Sequence, residues 1–334
     1  MATHIDVQGQ THSLNYNNLG QNTGYQLLES QVSANYYFDG AGRLVKSLTQ
    51  APDGNTQITE MTFDEFGREE TRTLTVKNLA GQTLGIQQQV LAYTVDNNIS
   101  SRTWYRDEQL LRTETYTYTP LNQMDTYRCE GDAFPDAPND YRLAQQSYTF
   151  TFLGNINAVI SDVIAVDGSS IRNTATYTYS DKDREQLKSI TNDKIIDWDT
   201  TLVYDLNGNV IQDEEGNTLT YNGFNQLVTI SEPTETLVGN YWYDANGILL
   251  AEKKAIDDAA TLMFYQFGQL VNEMKGDQVS TYLETLSRVL LDTSSDDVSV
   301  QLLGSDQQGS IVQMNQGDEI AYRIYDPYGY SKED

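Results

Sequence analysis

Few residues in this sequence have the types and spacing that chemistry needs. Asp205-Leu206-Asn207-Gly208 and Asp244-Ala245-Asn246-Gly247 alternate oxygen donors ahead of a glycine, as a calcium loop does at its start. Neither has the rest of such a loop, so turn-forming polar residues are the plainer reading. Ser305 and Ser310 lie near glycines, but neither sits in the G-x-S-x-G frame of a nucleophile elbow. Cys129 stands between Arg128 and Glu130, whose charges pull its thiol in opposite directions, so an inert thiol is expected. The 2 histidines, His4 and His12, fall in a polar N-terminal stretch and leave little for imidazole catalysis. Carboxylates abound, but nothing in the order of residues selects a pair for glycoside hydrolysis. Trp242, in Tyr241-Trp242-Tyr243, points to the opposite strand face from its neighbours and is the aromatic with a prospect of stacking on a sugar. Neither a cofactor nor a metal is expected.

The composition narrows the classes further. A chain of 334 residues suits one large or two medium domains. Its 21 basic and 48 acidic residues give a net charge of −27. Nucleic acid and anionic lipid recruit clustered positive charge, so neither partner is expected, nor is membrane insertion. A single cysteine excludes an internal disulfide framework. The 23 tyrosines can each bury a ring and keep the hydroxyl hydrated or bonded, which fits a thin two-sided wall. The first twenty residues show no Sec-type signal, and no apolar run approaches a membrane span. Cytoplasmic synthesis is expected, with any secretion by a route that leaves no N-terminal mark.

What must position any functional residue is a repeat. Tyr36 to Leu44 (YYFDGAGRL) is echoed at Met61 to Glu69, Leu202 to Val210, Leu219 to Leu227 and Tyr241 to Leu249. Weaker copies begin at Tyr93, Tyr116, Tyr148 and Tyr177. Each opens on alternating aromatic residues, a strand signal, and continues with Asp, Asn, Ser or Thr, which bond nearby backbone N–H groups and start turns. Closing the turn stand Gly42, Gly67, Asn98, Asn122, Gly154, Asp183, Gly208, Asn225 and Gly247, the residue types that most readily accept positive φ. The unit is therefore a β-hairpin with a left-handed corner, and single hairpins must pair edge to edge to be stable. Ser180 to Asp193 has the best helical composition but overlaps a copy and reads as hairpin.

These copies resemble the tyrosine–aspartate (YD) repeat of the RHS family. Leu302 to Gly329, ending in YDPYG, and Phe264 to Met274 resemble segments around the start of the conserved core in RHS proteins and in the C component of bacterial Tc insecticidal toxin complexes. The resemblance covers roughly residues 30 to 330, loosely between 90 and 190. It implies an all-β fold of YD-type hairpins joined edge to edge in a long curved or spiralling antiparallel sheet, part of a shell that encloses a toxic cargo. In the family a self-cleaving aspartyl-protease-like core follows YDPYG; here the expectation is truncation before that core. The expected organisation is an N-terminal segment (1–30, a strand or loose tail), a YD-repeat sheet (31–260) and a core-opening segment (261–334). The resulting functional expectation is a non-enzymatic shell fragment that pairs with another RHS-type or Tc B-like chain, or with itself, through open sheet edges, around a toxin cargo. The alternative is a standalone module that recognises glycans or a protein through exposed aromatics such as Trp242.

Overall fold

In a computed structural model, which describes residues 2–331 except 235, 256, 257, 284, 285 and 296, the chain is all-β. Among the described residues the strands form antiparallel sheets of 17 and 13 strands, and the sole helical element is a 3-10 turn at Ile196–Trp198. Among the described residues no helix is long and apolar enough to cross a membrane. Where the resemblance implied one continuous sheet, the pairing breaks between the short strands Thr200–Thr201 and Val203–Tyr204. Leu202 N–H still donates to Lys188 O (3.0 Å), the rung after Thr201 opposite Ser189, and the second ladder opens at Val203 opposite Gln212.

Most strands pair with their chain neighbours, as hairpins must, and the alternation expected of them is visible in burial. In Thr83–Tyr93 the inward positions are Gly85, Gln87, Gln89 and Leu91, a period of two. That inward row is half polar, which explains why hydrophobicity alone outlines these strands poorly.

The chain divides into two compact units, each built from two segments: Met1–Thr113 with Met263–Ile324, and Glu114–Leu262 with Tyr325–Asp334. The sequence cuts at 30 and 260 did not anticipate this interleaving, because a cut along the chain cannot show which strands pack together. Residues 1–30 belong to the first unit as the strands Ala2–Ile5, Thr11–Tyr16 and Asn22–Leu27. In that unit Tyr25, Leu27, Val32, Ala34 and Tyr36 pack against Leu283, Val289, Val300 and Leu302. Contact there is close: a Cβ placed on Gly304 would lie 2.9 Å from Leu74 Cδ1. The core of the second unit gathers Tyr127, Cys129, Leu143, Val163 and Ile195, with Trp198 edge-on to Tyr141 at 5.7 Å. Cys129 is thus a buried core residue, while its neighbours Arg128 and Glu130 pair with each other (2.7 Å) on the exposed side.

Candidate functional site

The repeat's turn is a three-residue loop with a left-handed corner. Asp39 N–H donates to Arg43 O and Gly42 N–H to Asp39 O, each at 3.0 Å. This is a type I turn followed by a positive-φ residue. The Asp39 carboxylate completes it by accepting from the N–H groups of Ala41 (2.9 Å) and Arg43 (3.0 Å). Asp64, Asp205, Asn222 and Asp244 make the same pair of bonds to the residues two and four positions on. Backbone and side-chain bonds from Arg43 hold the Asp39 carboxyl below its ordinary pKa, and at Asp205 the Asn209 side chain leads the same effect. An extra residue then enters the returning strand: Tyr37 faces Lys46 but Phe38 faces Leu44, and the same one-residue shift follows the turns at Asp64, Asp205 and Asp244.

At the positions singled out from sequence, φ is +81° at Gly42 and Gly67, +89° at Gly154, +86° at Gly208, +85° at Gly247, and +59° at Asn122 and Asn225. Two positions differ. Asn98 is not the left-handed residue; Asn97 is, at +65°, because the turn opens on Thr94. The stretch Tyr93-Thr94-Val95-Asp96 offers two polar residues able to open a turn, and sequence cannot choose between them. Asp183 has no positive φ either. Its loop runs from Ser180 to Gln186, with Ser180 N–H bonded to Gln186 O (2.9 Å), and the longer span relieves the need for a left-handed corner. Asn97→Gly should therefore change stability by no more than about 0.5 kcal/mol, whereas Asn98→Gly, in ordinary backbone, should cost about 0.5–1 kcal/mol. Paired thermal melts check this; the reverse order would contradict the assignment.

Sequence reasoning missed the residue just after the corner and what the aromatic before the turn does. The first reaches forward to the next turn. Gln21 Nε2 donates to Gly42 O (2.9 Å), Gln123 Nε2 to Gly154 O (2.9 Å), and Asn209 Nδ2 to Asn225 Oδ1 (3.0 Å). Arg68 donates to Asn97 Oδ1 (2.9 Å) while its guanidinium stacks 4.5 Å from the centre of the Tyr93 ring. The aromatic residue reaches back: the hydroxyls of Tyr93, Tyr179, Tyr204 and Tyr221 donate to Glu69 O (2.6 Å), Ile156 O (2.6 Å), Leu187 O (2.7 Å) and Val210 O (2.8 Å). Burial pushes the pKa of these four phenols up, so they remain protonated donors. The turns at Asp64 and Thr94, and those at Asp205 and Asn222, are thus fastened in both directions. The signal was available as recurring Gln, Arg or Asn after the corner, but its partner lies 16 to 31 residues away and is invisible to local pattern.

Trp242 is 43% exposed. Its strand partner is Ala251, which in turn faces Leu262, so the same sheet face beside its ring is apolar rather than furnished with hydrogen-bonding groups.

The histidines discounted from sequence come together in the first unit. The rings of His4 and His12 stack at 4.3 Å. Fully buried His12 donates from Nε2 to Asp6 Oδ2 (3.1 Å), and its Nδ1 meets the Tyr25 hydroxyl. Asn272 Nδ2 also donates to Asp6 Oδ2 (2.8 Å), and Asp6 Oδ1 accepts from Gln8 and Gln10 N–H (each 2.9 Å). Asp6 is itself the opening residue of a turn whose corner is Gly9.

Hairpins with left-handed corners, several of them bonded to a neighbouring turn by side chains at one or both ends, define a YD-type repeat β-protein. A profile of the teneurin YD-shell family matches residues 139–329, more than half of the sequence, and the chain belongs to that family. Among solved structures, the crystal structure of TcdB2-TccC3-Cdc42 is similar over 96% of this chain, with a TM-score of 0.51 and 14% identity. That of TcdB2-TccC3-TEV covers 97% with a TM-score of 0.49 and 14% identity. The chain spans 20% of the length of each, and the likeness to the first is one of fold. No curated protein sequence matches significantly.

Proposed function

We propose that this chain is a non-enzymatic wall segment of an RHS-type shell, enclosing the cargo of a secreted bacterial toxin or effector system, and that it joins a second YD-repeat chain to do so. The observation that supports this most is the fastening of turn to turn: the residues that define the repeat are engaged in holding hairpins side by side. The similar TcdB2-TccC3-Cdc42 structure is named for more than one component, which favours a multi-chain arrangement. An edge for joining is available in principle. The strand Glu319–Tyr322 pairs with Ile311–Gln316, and among the described residues no ladder partner lies on its other side. Its register turns the N–H of Ile320 away from that partner, toward an incoming strand.

Co-expression with a YD-repeat shell chain, followed by size-exclusion chromatography with light scattering, should give a stable complex or, without the partner, self-association. Ile320→Pro removes the outward donor and should lower the associated fraction at least tenfold while circular dichroism stays β-type. A compact monomer that binds no such chain would refute the proposal.

A further inference from the structure

Two sheets pack against each other in the first unit, and the order of their strands sets one cation at an open edge. Asp297–Ser305 lies over Thr56–Phe63, and its Gly304 meets Leu74 of Glu69–Lys77. Two strands further on, Ile320 and Tyr322 of Glu319–Tyr322 lie over Gly85 of Thr83–Tyr93. A Cβ on Gly85 would stand 2.7 Å from the Tyr322 hydroxyl and 2.8 Å from Ile320 Cδ1. Among the described residues the 13-stranded sheet ends there, whereas the 17-stranded sheet continues to Ile99–Arg106. In that next strand Arg106 faces Gln87 across the ladder and alternates with the buried Trp104 and Arg102, so it points inward. Its guanidinium lies 3.7 Å from the centre of the Tyr322 ring. A strand added beyond Glu319–Tyr322 would therefore pass over Arg106.

Arg106 lacks a counter-charge. The chain has 48 acidic residues against 21 basic ones, yet among the described residues Arg106 makes neither an ion pair nor a hydrogen bond. Asp107, the nearest acid in sequence, gives its carboxylate to the Ile86 N–H (2.9 Å). Glu319 alternates with Ile320 along the edge strand and so points to the opposite face. Burial holds the Arg106 pKa below its ordinary value, and the like charge of Arg112 adds to this. The guanidinium has thus given up water without gaining an anion. Only Nε is closed off and unbonded; the residue as a whole is partly exposed, and its two Nη nitrogens stay open.

We propose that the strand joining this edge brings an Asp or Glu side chain to the Nη nitrogens of Arg106, so that the joint is selected by a carboxylate as well as by backbone bonds. The inference rests on the reading of Glu319–Tyr322 as the joining edge. A carboxylate matches the guanidinium fork with charge-assisted bonds, and a lysine or arginine at the same place is repelled.

The probes are three peptides, dansyl-Thr-Val-Thr-Xaa-Thr-Val-Thr-amide with Xaa as Glu, Gln or Lys, added to the full-length protein and followed by fluorescence anisotropy. In each, Xaa and the valines share one face, so Xaa turns inward when the valines pack beside Ile320 and Tyr322. The Glu peptide should bind about tenfold more tightly than the Gln peptide, and the Lys peptide more weakly than either. Arg106→Gln should bring all three to the affinity of the Gln peptide while circular dichroism stays unchanged. Ile320→Pro should abolish binding of all three. Equal affinity of the three peptides for the unaltered protein overturns the carboxylate proposal and leaves the joining edge standing. Binding of none of them overturns both. N-acetyl-glutamate amide supplies the carboxylate without a strand; were it to displace the Glu peptide at equal concentration, Arg106 would be a small-anion site and the proposal would fail.

Discussion

Asp6→Ala should destabilise the first unit by about 3–5 kcal/mol, because it strips a buried charge from four donors at once. The Asp6 side chain is 1% exposed and accepts from Gln8 N–H, Gln10 N–H, His12 Nε2 and Asn272 Nδ2. Truncation leaves His12, which is fully buried, without an acceptor at Nε2. Asp6→Asn should fall between the two: its oxygen can serve the backbone donors, but its amide then faces the N–H groups of His12 and Asn272. The pH dependence carries an independent sign. Burial pushes the Asp6 carboxyl up, but the bonds from His12, Asn272, Gln10 and Gln8 outweigh it and hold the pKa below the ordinary 3.8. A carboxylate depressed on folding contributes stability that is present above its unfolded pKa and lost as pH falls through the folded one. The difference in melting temperature between the native protein and Asp6→Ala should thus be constant from neutral pH to about pH 4 and shrink below it. A gap that narrows already at pH 6 would mean that the histidines, not the aspartate, govern the cluster. Asp326 runs the other way: burial raises its pKa, so its ionisation opposes folding as pH climbs above the ordinary carboxylate range.

Gly54→Val should cost about 2–4 kcal/mol and Gly208→Val about 1–3 kcal/mol, and the difference is informative. Both glycines hold left-handed corners, with φ of +89° and +86°, and a β-branched residue is strained in either. At Gly208 nothing lies within 4 Å of an added Cβ, so strain acts alone. At Gly54 the same atom would stand 2.4 Å from Leu79 Cδ1 and 2.9 Å from Leu79 Cβ, so the neighbouring turn must move as well. Denaturation of both variants and of Gly54→Val with Leu79→Ala separates the contributions, since removing the Leu79 side-chain tip should recover part of the difference from Gly208, the Leu79 Cβ at 2.9 Å remaining. An unchanged melt for Gly208→Val would contradict the backbone conformation assigned to the Asp205–Asn209 turn.

How far the sequence could be read depended on whether the cause was local. Gly42 and Gly208 were recognisable because aromatic alternation, a polar turn opener and a residue tolerant of positive φ all lie within a few positions. The corner near Asn98 slipped because two candidate openers, Thr94 and Asp96, stand two residues apart. Asp183 misled because a loop only slightly longer than its fellows needs no such corner. At the opposite ends of hairpins the same geometry recurs at Gly54, Gly81 and Gly168, where Ala51, Asn78 and Ala165 open the turn without a preceding aromatic pair. The roles of Gln21, Arg68 and Gln123 were hidden for a different reason, since each depends on a partner one hairpin further along. The histidine cluster was missed altogether. His4 and His12 meet only because their strands register them opposite each other, and Asn272 completes the group from far along the chain.

The fastenings of the turn row have a consequence for how such a protein can vary. Each bond of the row joins one hairpin to the next, so the row by itself sets no fixed number of courses. A hairpin inserted or deleted with its corner, its following Gln, Arg or Asn and its preceding tyrosine offers the adjoining turns the same bonds as before. Length is then something natural selection can count out one hairpin at a time, leaving the bonding rule untouched.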